Sequence, residues 1–192
     1  MPDRNDAALS FLQTRRSRPA KTLTAPVPDR ATVEMLLTTA ARTPDHGKLE
    51  PWRFIVLERP ALQRLAEQVP ARGRALKIED EKVTKMVNQF ANADLVVAVI
   101  NSPKASEKIP EIEQTYSAGA VCLALLNAAL ASGWGANWLS GWASHDPTFT
   151  ADGLGLAPHE TVAGFIHLGT ETNAPPERPR PDIAAITTWV SA

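Results

Sequence analysis

Three separated clusters in this chain carry side chains whose combined chemistry suits an anionic ligand with a flat ring. Arg15-Arg16-Ser17 sets two guanidinium forks and a hydroxyl side by side. That combination matches a terminal phosphate, which accepts bidentate, charge-assisted hydrogen bonds. Arg42 to Phe54 packs two prolines, a glycine, three cations, a histidine and a tryptophan into thirteen residues. Arg42 and His46 stand four apart there around a proline turn. Histidine titrates near neutrality, so His46 is the natural tuning group or proton source. Trp138-Leu139-Ser140 offers a flat ring, an apolar contact and a donor hydroxyl. Singly, each cluster has an ordinary explanation as a solvated arginine pair, an exposed turn histidine or a structural tryptophan. A ligand with a phosphate, a polar chain and a large flat ring would use all three. Trp52 opens a strand-like run and reads as core.

Other chemistries lack their signatures. His46, His145, His159 and His167 show no metal-ligand spacing, and neither CxxC nor HExxH occurs, so no metal site is expected. No G-x-S-x-G elbow is present, and Gly47-Lys48 lacks the glycine spacing of a phosphate-binding P-loop. Gly133-Trp-Gly-Ala-Asn-Trp138 is half a dinucleotide fingerprint, but it follows a helical pattern and has tryptophan in the third glycine's place.

The elements that must position these clusters follow from periodicity. Ala7–Gln13 reads as a helix stopped by Pro19, and Ala20–Pro28 as a connector. Asp29 caps a second helix with apolar residues at Val33, Leu36, Leu37, Ala40 and Ala41, ended by Pro44. Trp52–Glu58 reads as a strand and Pro60–Val69 as a helix. The charged segment 71–92 predicts a helix near Val83–Phe90 and has the composition of a mobile lid. Leu95–Ile100 is a β-branched run that predicts a strand buried on both faces. Residues 109–132 predict the longest helix, apolar nearly all round beyond Ser117, which points to a subunit interface. A Gly/Trp loop (133–142), a short helix after Pro147 and a strand at Val162–Leu168 follow. A proline-rich tail then ends in a short amphipathic piece, Ile183–Val190.

Composition sets the frame. With 192 residues, 44% hydrophobic and 21% charged, the chain supports one substantial core, and we expect a single domain with arms at 1–6 and 171–192. A net charge of -1 gives no global field toward nucleic acid or membrane, so any anion site is local. Cys122 is the only cysteine and lies in an apolar run. With no signal-like N-terminus and no sufficiently long apolar stretch, cytoplasmic location is expected. Helices outnumber and separate the strands, which predicts a layered α/β or α+β arrangement.

Taken in order, Arg-Arg-Ser after a first helix, Arg42-x-Pro-Asp-His46 followed by Pro51-Trp-x-Phe54, a long apolar helix closing in Trp138-x-Ser140, and a strand ending Leu168-Gly-Thr170 resemble the nitroreductase family, in its compact YdjA-like branch. The resemblance runs from about residue 9 to residue 170. It implies an α+β, three-layer α/β/α fold with a central, mainly antiparallel sheet, and a homodimer formed through the long apolar helix. It implies one FMN per subunit, NADH or NADPH as electron donor, and nitroaromatic, quinone or similar acceptors. By the same resemblance Arg15, Arg16, Ser17, Arg42, His46, Trp138, Leu139 and Ser140 contact FMN, with Arg42 or His46 supplied by the partner. Arg180 joins the phosphate, with Arg178 as fallback, and Ala128, Ala129, Leu130, Ala131, Ser132 and Gly133 meet the nicotinamide. An FMN-binding carrier or sensor without turnover is the alternative. Asp45, Lys48 and Glu50 depart from the serine, asparagine and glutamine that larger family members often carry in this stretch.

Overall fold

A computed structural model describes residues 3–191. At its centre β3 (Leu95–Asn101) is buried along its whole length. Leu95, Val97 and Val99 join one core, while Val96, Ala98 and Ile100 join the other. A strand covered by helices on both faces needs apolar residues at every position, which explains the unbroken run. β3 pairs antiparallel with β2 (Trp52–Glu58) on one side and β5 (Thr161–Glu171) on the other. β4 (Gly135–Leu139) and the two-residue β1 (Leu23–Thr24) also pair antiparallel with β5. β2 and β4 therefore lie on opposite sides of the β3–β5 pair.

Helices cover both faces, as the three-layer expectation requires. α2 (Arg30–Ala40) and α5 (Glu111–Ala131) pack on the first face. α3 (Arg59–Ala75), α4 (Asp80–Ala91) and α6 (Pro147–Leu154) pack on the second. α1 (Asp6–Thr14) stands outside and buries no residue. The predicted Asp29 cap forms, its Oδ1 accepting the Thr32 amide at 2.8 Å, and Asp146 caps α6 in the same way, its Oδ2 accepting that of Phe149 at 2.9 Å. Each satisfies a helix-start donor that would otherwise lack a partner.

Three expectations need correction. α3 does not stop at Val69 but continues through Pro70 to Ala75. A mid-helix proline costs about 3 kcal/mol, yet Leu62, Leu65, Ala66, Val69 and Gly73 all face the core and hold the helix in line. Segment 71–92 holds the helix expected near Val83–Phe90. It completes α3 and forms α4, whose Met86 and Phe90 are buried. The connector after Pro19 contains β1, and the Gly/Trp loop contains β4, because β5 supplies pairing partners distant in sequence. In the tail a turn covers 183–186, and Ile183, Ile186, Trp189 and Val190 are exposed.

α5 has the length and hydropathy of a membrane span, but it packs against α2 and three strands, as a core helix does. Its outer side leaves Ile112, Tyr116 and Leu123 exposed. Cys122 lies on the buried side, where desolvation pushes its thiol up to about 12 and keeps it an inert hydrophobe.

Candidate functional site

Arg15 caps the end of α1, and the chain then runs along the outer edge of β4. Arg18 N–H donates to the Ala136 carbonyl at 2.8 Å, and Asn137 Nδ2 donates to the Arg18 carbonyl at 2.6 Å. These two bonds tie the chain just after Arg15-Arg16-Ser17 to β4, just before Trp138-Leu139-Ser140. Arg15 Nη2 donates to Ser17 Oγ at 3.1 Å, but the Nε atoms of both Arg15 and Arg16 are buried without a partner. Burial pushes the Arg15 guanidinium below its ordinary value, and Arg180 and Arg16 push it further the same way. Arg180 thus reaches this cluster from the tail, carrying Glu177 with it at 2.8 Å. Arg178 enters only through its backbone amide, which donates to Glu177 Oε1. Three guanidinium groups share one neighbourhood, with the exposed Glu177 beside Arg180 and Arg16, and Glu171 paired to the adjacent Arg18 at 3.0 Å. Such a cluster can hold an anion through charge-assisted hydrogen bonds.

Just past the cluster in the chain, Pro19–Lys21 wall a cavity of about 770 Å³ that the outer side of α4 and residues of β4 and β5 complete. That volume falls in the usual range of small-molecule and cofactor sites. Leu139 and Asn137 point into it. Trp138 does not, because successive strand residues alternate between faces. Its indole lies over Gly164 on the α5 side, where a Cβ would have no room. Ser140 is exposed just beyond the end of β4. The cavity also contains residues absent from the three clusters, among them His167 of β5 and Gln89 of α4. Both have a buried side-chain nitrogen without a partner. Burial pushes the His167 imidazole down to about 4, so it stays neutral at physiological pH. The one sequence signal for His167 was a histidine inside an otherwise apolar strand, Phe165-Ile-His-Leu168.

Arg42 and His46 sit elsewhere. Their loop docks on the start of α5: Ser117 Oγ donates to the Pro44 carbonyl at 3.0 Å, and His46 Nδ1 lies 2.6 Å from Glu113 Oε2. Asp45, one of the three departures, has a structural task. Its Oδ1 accepts the amides of Leu49 at 2.6 Å and Glu50 at 3.3 Å. That staple holds a tight turn with positive φ at Gly47, Lys48 and Glu50. Gly47 also abuts Ile109, leaving no room for a side chain. The loop leads into β2, so within one chain β3 and β5 separate it from β4, roughly three strand spacings or ~14 Å. Arg42, His46, Lys48 and Glu50 are all exposed there.

Segment 128–133 ends α5. Ala128 and Ala129 are core residues. The amides of Ser132, Gly133 and Trp134 donate back to carbonyls of residues 128–130. Only Ala131, Ser132 and Gly133 are exposed, at a helix end whose outward carbonyls carry partial negative charge. A smaller cleft of about 350 Å³ between α2 and β2 holds Arg30, but Glu34 already pairs with it at 2.9 Å.

The model of the nitroreductase family matches residues 12–170. A relative from Escherichia coli (strain K12), named "Putative NAD(P)H nitroreductase YdjA", is 31% identical over 163 residues, covering 85% of this chain and 87% of the relative. The chain belongs to the nitroreductase family. Solved structures agree on the fold. A nitroreductase-like family protein from Bacillus cereus superimposes with a TM-score of 0.77 at 22% identity, covering 100% of both chains. A Desulfovibrio desulfuricans protein, described as a "putative nitroreductase in complex with fmn", gives 0.76 at 21% identity over 98% of this chain and 99% of the other. Arg15 to Ser140 all fall within the matched nitroreductase region, and Arg180 lies beyond it.

Proposed function

We propose that this chain is an FMN-dependent NAD(P)H oxidoreductase acting as a homodimer. It takes hydride from NADH or NADPH and passes electrons, in ping-pong order, to a nitroaromatic, quinone or similar acceptor. One observation carries the reading: Arg15, Arg16 and Arg180 converge without adequate counter-charge beside a cavity of about 770 Å³, in a nitroreductase-family chain. The buried, unpartnered Nε atoms of Arg15 and Arg16 fit a phosphate. The E. coli relative is named for NAD(P)H, and the D. desulfuricans neighbour of the same fold holds FMN.

In this reading Arg15, Arg16, Ser17 and Arg180 hold the FMN phosphate, while Leu139 and the α4 wall enclose the ring. Bound FMN supplies hydride acceptance at N5 and onward electron transfer. The protein contributes placement, charge and exclusion of water. Ser140 stands at the β4 end of the ring, while Trp138 packs on the opposite face of β4 and supports it from behind. Arg42 and His46 complete the site from a second copy, since their own loop lies across the sheet from β4. The exposed stripe Ile112, Tyr116 and Leu123 on α5, beside the His46–Glu113 contact, is the surface for that copy. Ala131, Ser132 and Gly133 form the exposed rim past which the nicotinamide enters, with Ala128, Ala129 and Leu130 as packing behind them. A single buried thiol accords with a cytoplasmic protein.

The test is the visible spectrum of purified protein before and after anaerobic NADH or NADPH, with molar mass from light scattering. A yellow dimer bleached by either donor and recoloured by a quinone is expected. A yellow protein that resists both donors is a carrier or sensor, and a colourless one that ignores added FMN ends the reading. Shared sites have their own check. Mixing Arg16→Ala chains with Arg42→Ala chains restores FMN binding beyond either parent, whereas no recovery places each site within one chain.

A further inference from the structure

His167 lies mid-strand on β5, opposite Val96 of β3 and Asn137 of β4. Its neighbours Phe165, Ile166 and Leu168 are apolar and buried, and another apolar residue would suit position 167 for packing alone. Instead the histidine is 3% exposed and its Nε2 has no partner. Leaving a buried polar atom unpaired destabilises a fold, so each such atom needs a reason. Across the same cavity, α4 presents Gln89, whose Nε2 is likewise buried and unpartnered. The cavity's charged residues Lys21, Glu81 and Lys85 are exposed, while His167 is buried and Gln89 half-buried. A charged rim over a neutral polar floor suits a ring whose inner edge carries carbonyl and ring-nitrogen atoms.

We infer that His167 and Gln89 together read the polar edge of the ring bound in this cavity, through neutral hydrogen bonds to a carbonyl and ring-nitrogen edge such as the pyrimidine end of a flavin. This rests on the FMN reading above. The phosphate cluster anchors one end of the ligand by charge, and these two side chains select the other end by hydrogen bonding. They are positioning and specificity residues, and neither needs to exchange a proton.

The experiment titrates FMN and riboflavin into the flavin-stripped full chain and its variants. His167→Leu and Gln89→Leu should each weaken FMN and riboflavin by the same factor, about tenfold. Arg16→Ala should weaken FMN while leaving riboflavin unchanged. His167→Leu should also leave the melting temperature of the stripped protein unchanged or raised, because it removes an unpaired buried nitrogen. A purely structural histidine would behave oppositely: melting would fall and both affinities would hold. Gln89 is only half-buried, so its variant decides the matter if His167→Leu does not fold. Affinities within twofold of wild type in the folded variants overturn the assignment while leaving the FMN reading intact. A wild-type chain that binds neither flavin removes the FMN reading first, and this assignment with it.

Discussion

Arg53 and Arg72 each meet a carboxylate with two nitrogens, whereas Arg15 and Arg16 each leave one buried nitrogen bare. Arg53 donates to Glu160 twice at 2.7 Å, and Arg72 donates to Asp146 at 2.7 and 2.8 Å. Both carboxylate side chains are only 7% exposed. These pairs tie β2 to the turn before β5, and α3 to the cap of α6. Their hydrogen bonds raise both arginines and lower both acids. Arg15 is lowered instead, by burial and then by two like charges. All four arginines are half-buried, so exposure does not separate them. Their partners do: an arginine saturated by a carboxylate serves the fold, and one crowded by other arginines is left with donors to offer a ligand.

Four experiments would break or sharpen that contrast. The largest effect is expected from Arg15→Ala, which should weaken FMN about 100-fold through lost charge-assisted bonds to phosphate. The stripped variant should melt no lower than wild type, because like-charge repulsion is relieved. An unchanged dissociation constant, or a clear drop in melting, would erase the distinction. Arg53→Ala should do the reverse. It strands the Glu160 carboxylate and should cost about 2 kcal/mol in urea unfolding, with FMN affinity intact.

A third test uses acid. The Arg53 hydrogen bonds hold the Glu160 carboxyl down to about 2 against an ordinary 4.5. Between those values the unfolded chain binds a proton that the folded chain refuses. The pair's stabilisation is therefore present above pH 4.5 and is lost as pH falls toward 2. The slope is on the order of 1 kcal/mol per pH unit. Urea unfolding at several pH values should show a flatter acid slope in Arg53→Ala, and equal slopes would contradict the assignment. The smallest effect concerns Glu177, the exposed carboxylate that shares the arginine cluster. Glu177→Gln should tighten FMN about twofold by removing a competing anion, and weaker binding would mean that Glu177 orders Arg180 rather than competes.

Much of the fold was legible in the sequence. Asp29 before Val33, Leu36 and Ala40 marks α2, and the unbroken run from Leu95 marks β3, because caps and periodicity are local properties. β4 was not legible. Gly135-Ala-Asn-Trp-Leu139 is short and opens on glycine, and it is a strand only because β5 offers it partners. Pro70 misled for a related reason: the local cost of proline was real, but α3 packs on both sides of it. At the site, Arg15-Arg16-Ser17 was visible as a pair of forks beside a hydroxyl. Gln89 and His167 were not, because a glutamine on an amphipathic helix and a histidine in a strand have no signature until a cavity joins them.

The sequence by itself determined the α2, β3 and α5 patterns, the inert setting of Cys122, and family membership through motifs in the right order. These depend on residue type and short-range spacing. Only the tertiary structure decided which clusters lie near one another. Arg18 meets Ala136 and Asn137 across more than a hundred residues, which unites the arginine pair with β4. Strand order sends Arg42 and His46 to the other side of the sheet. The same alternation of strand faces aims Leu139 into the cavity and turns Trp138 away from it. Pairing, register and facing are properties of the assembled sheet, and no local stretch of residues encodes them alone.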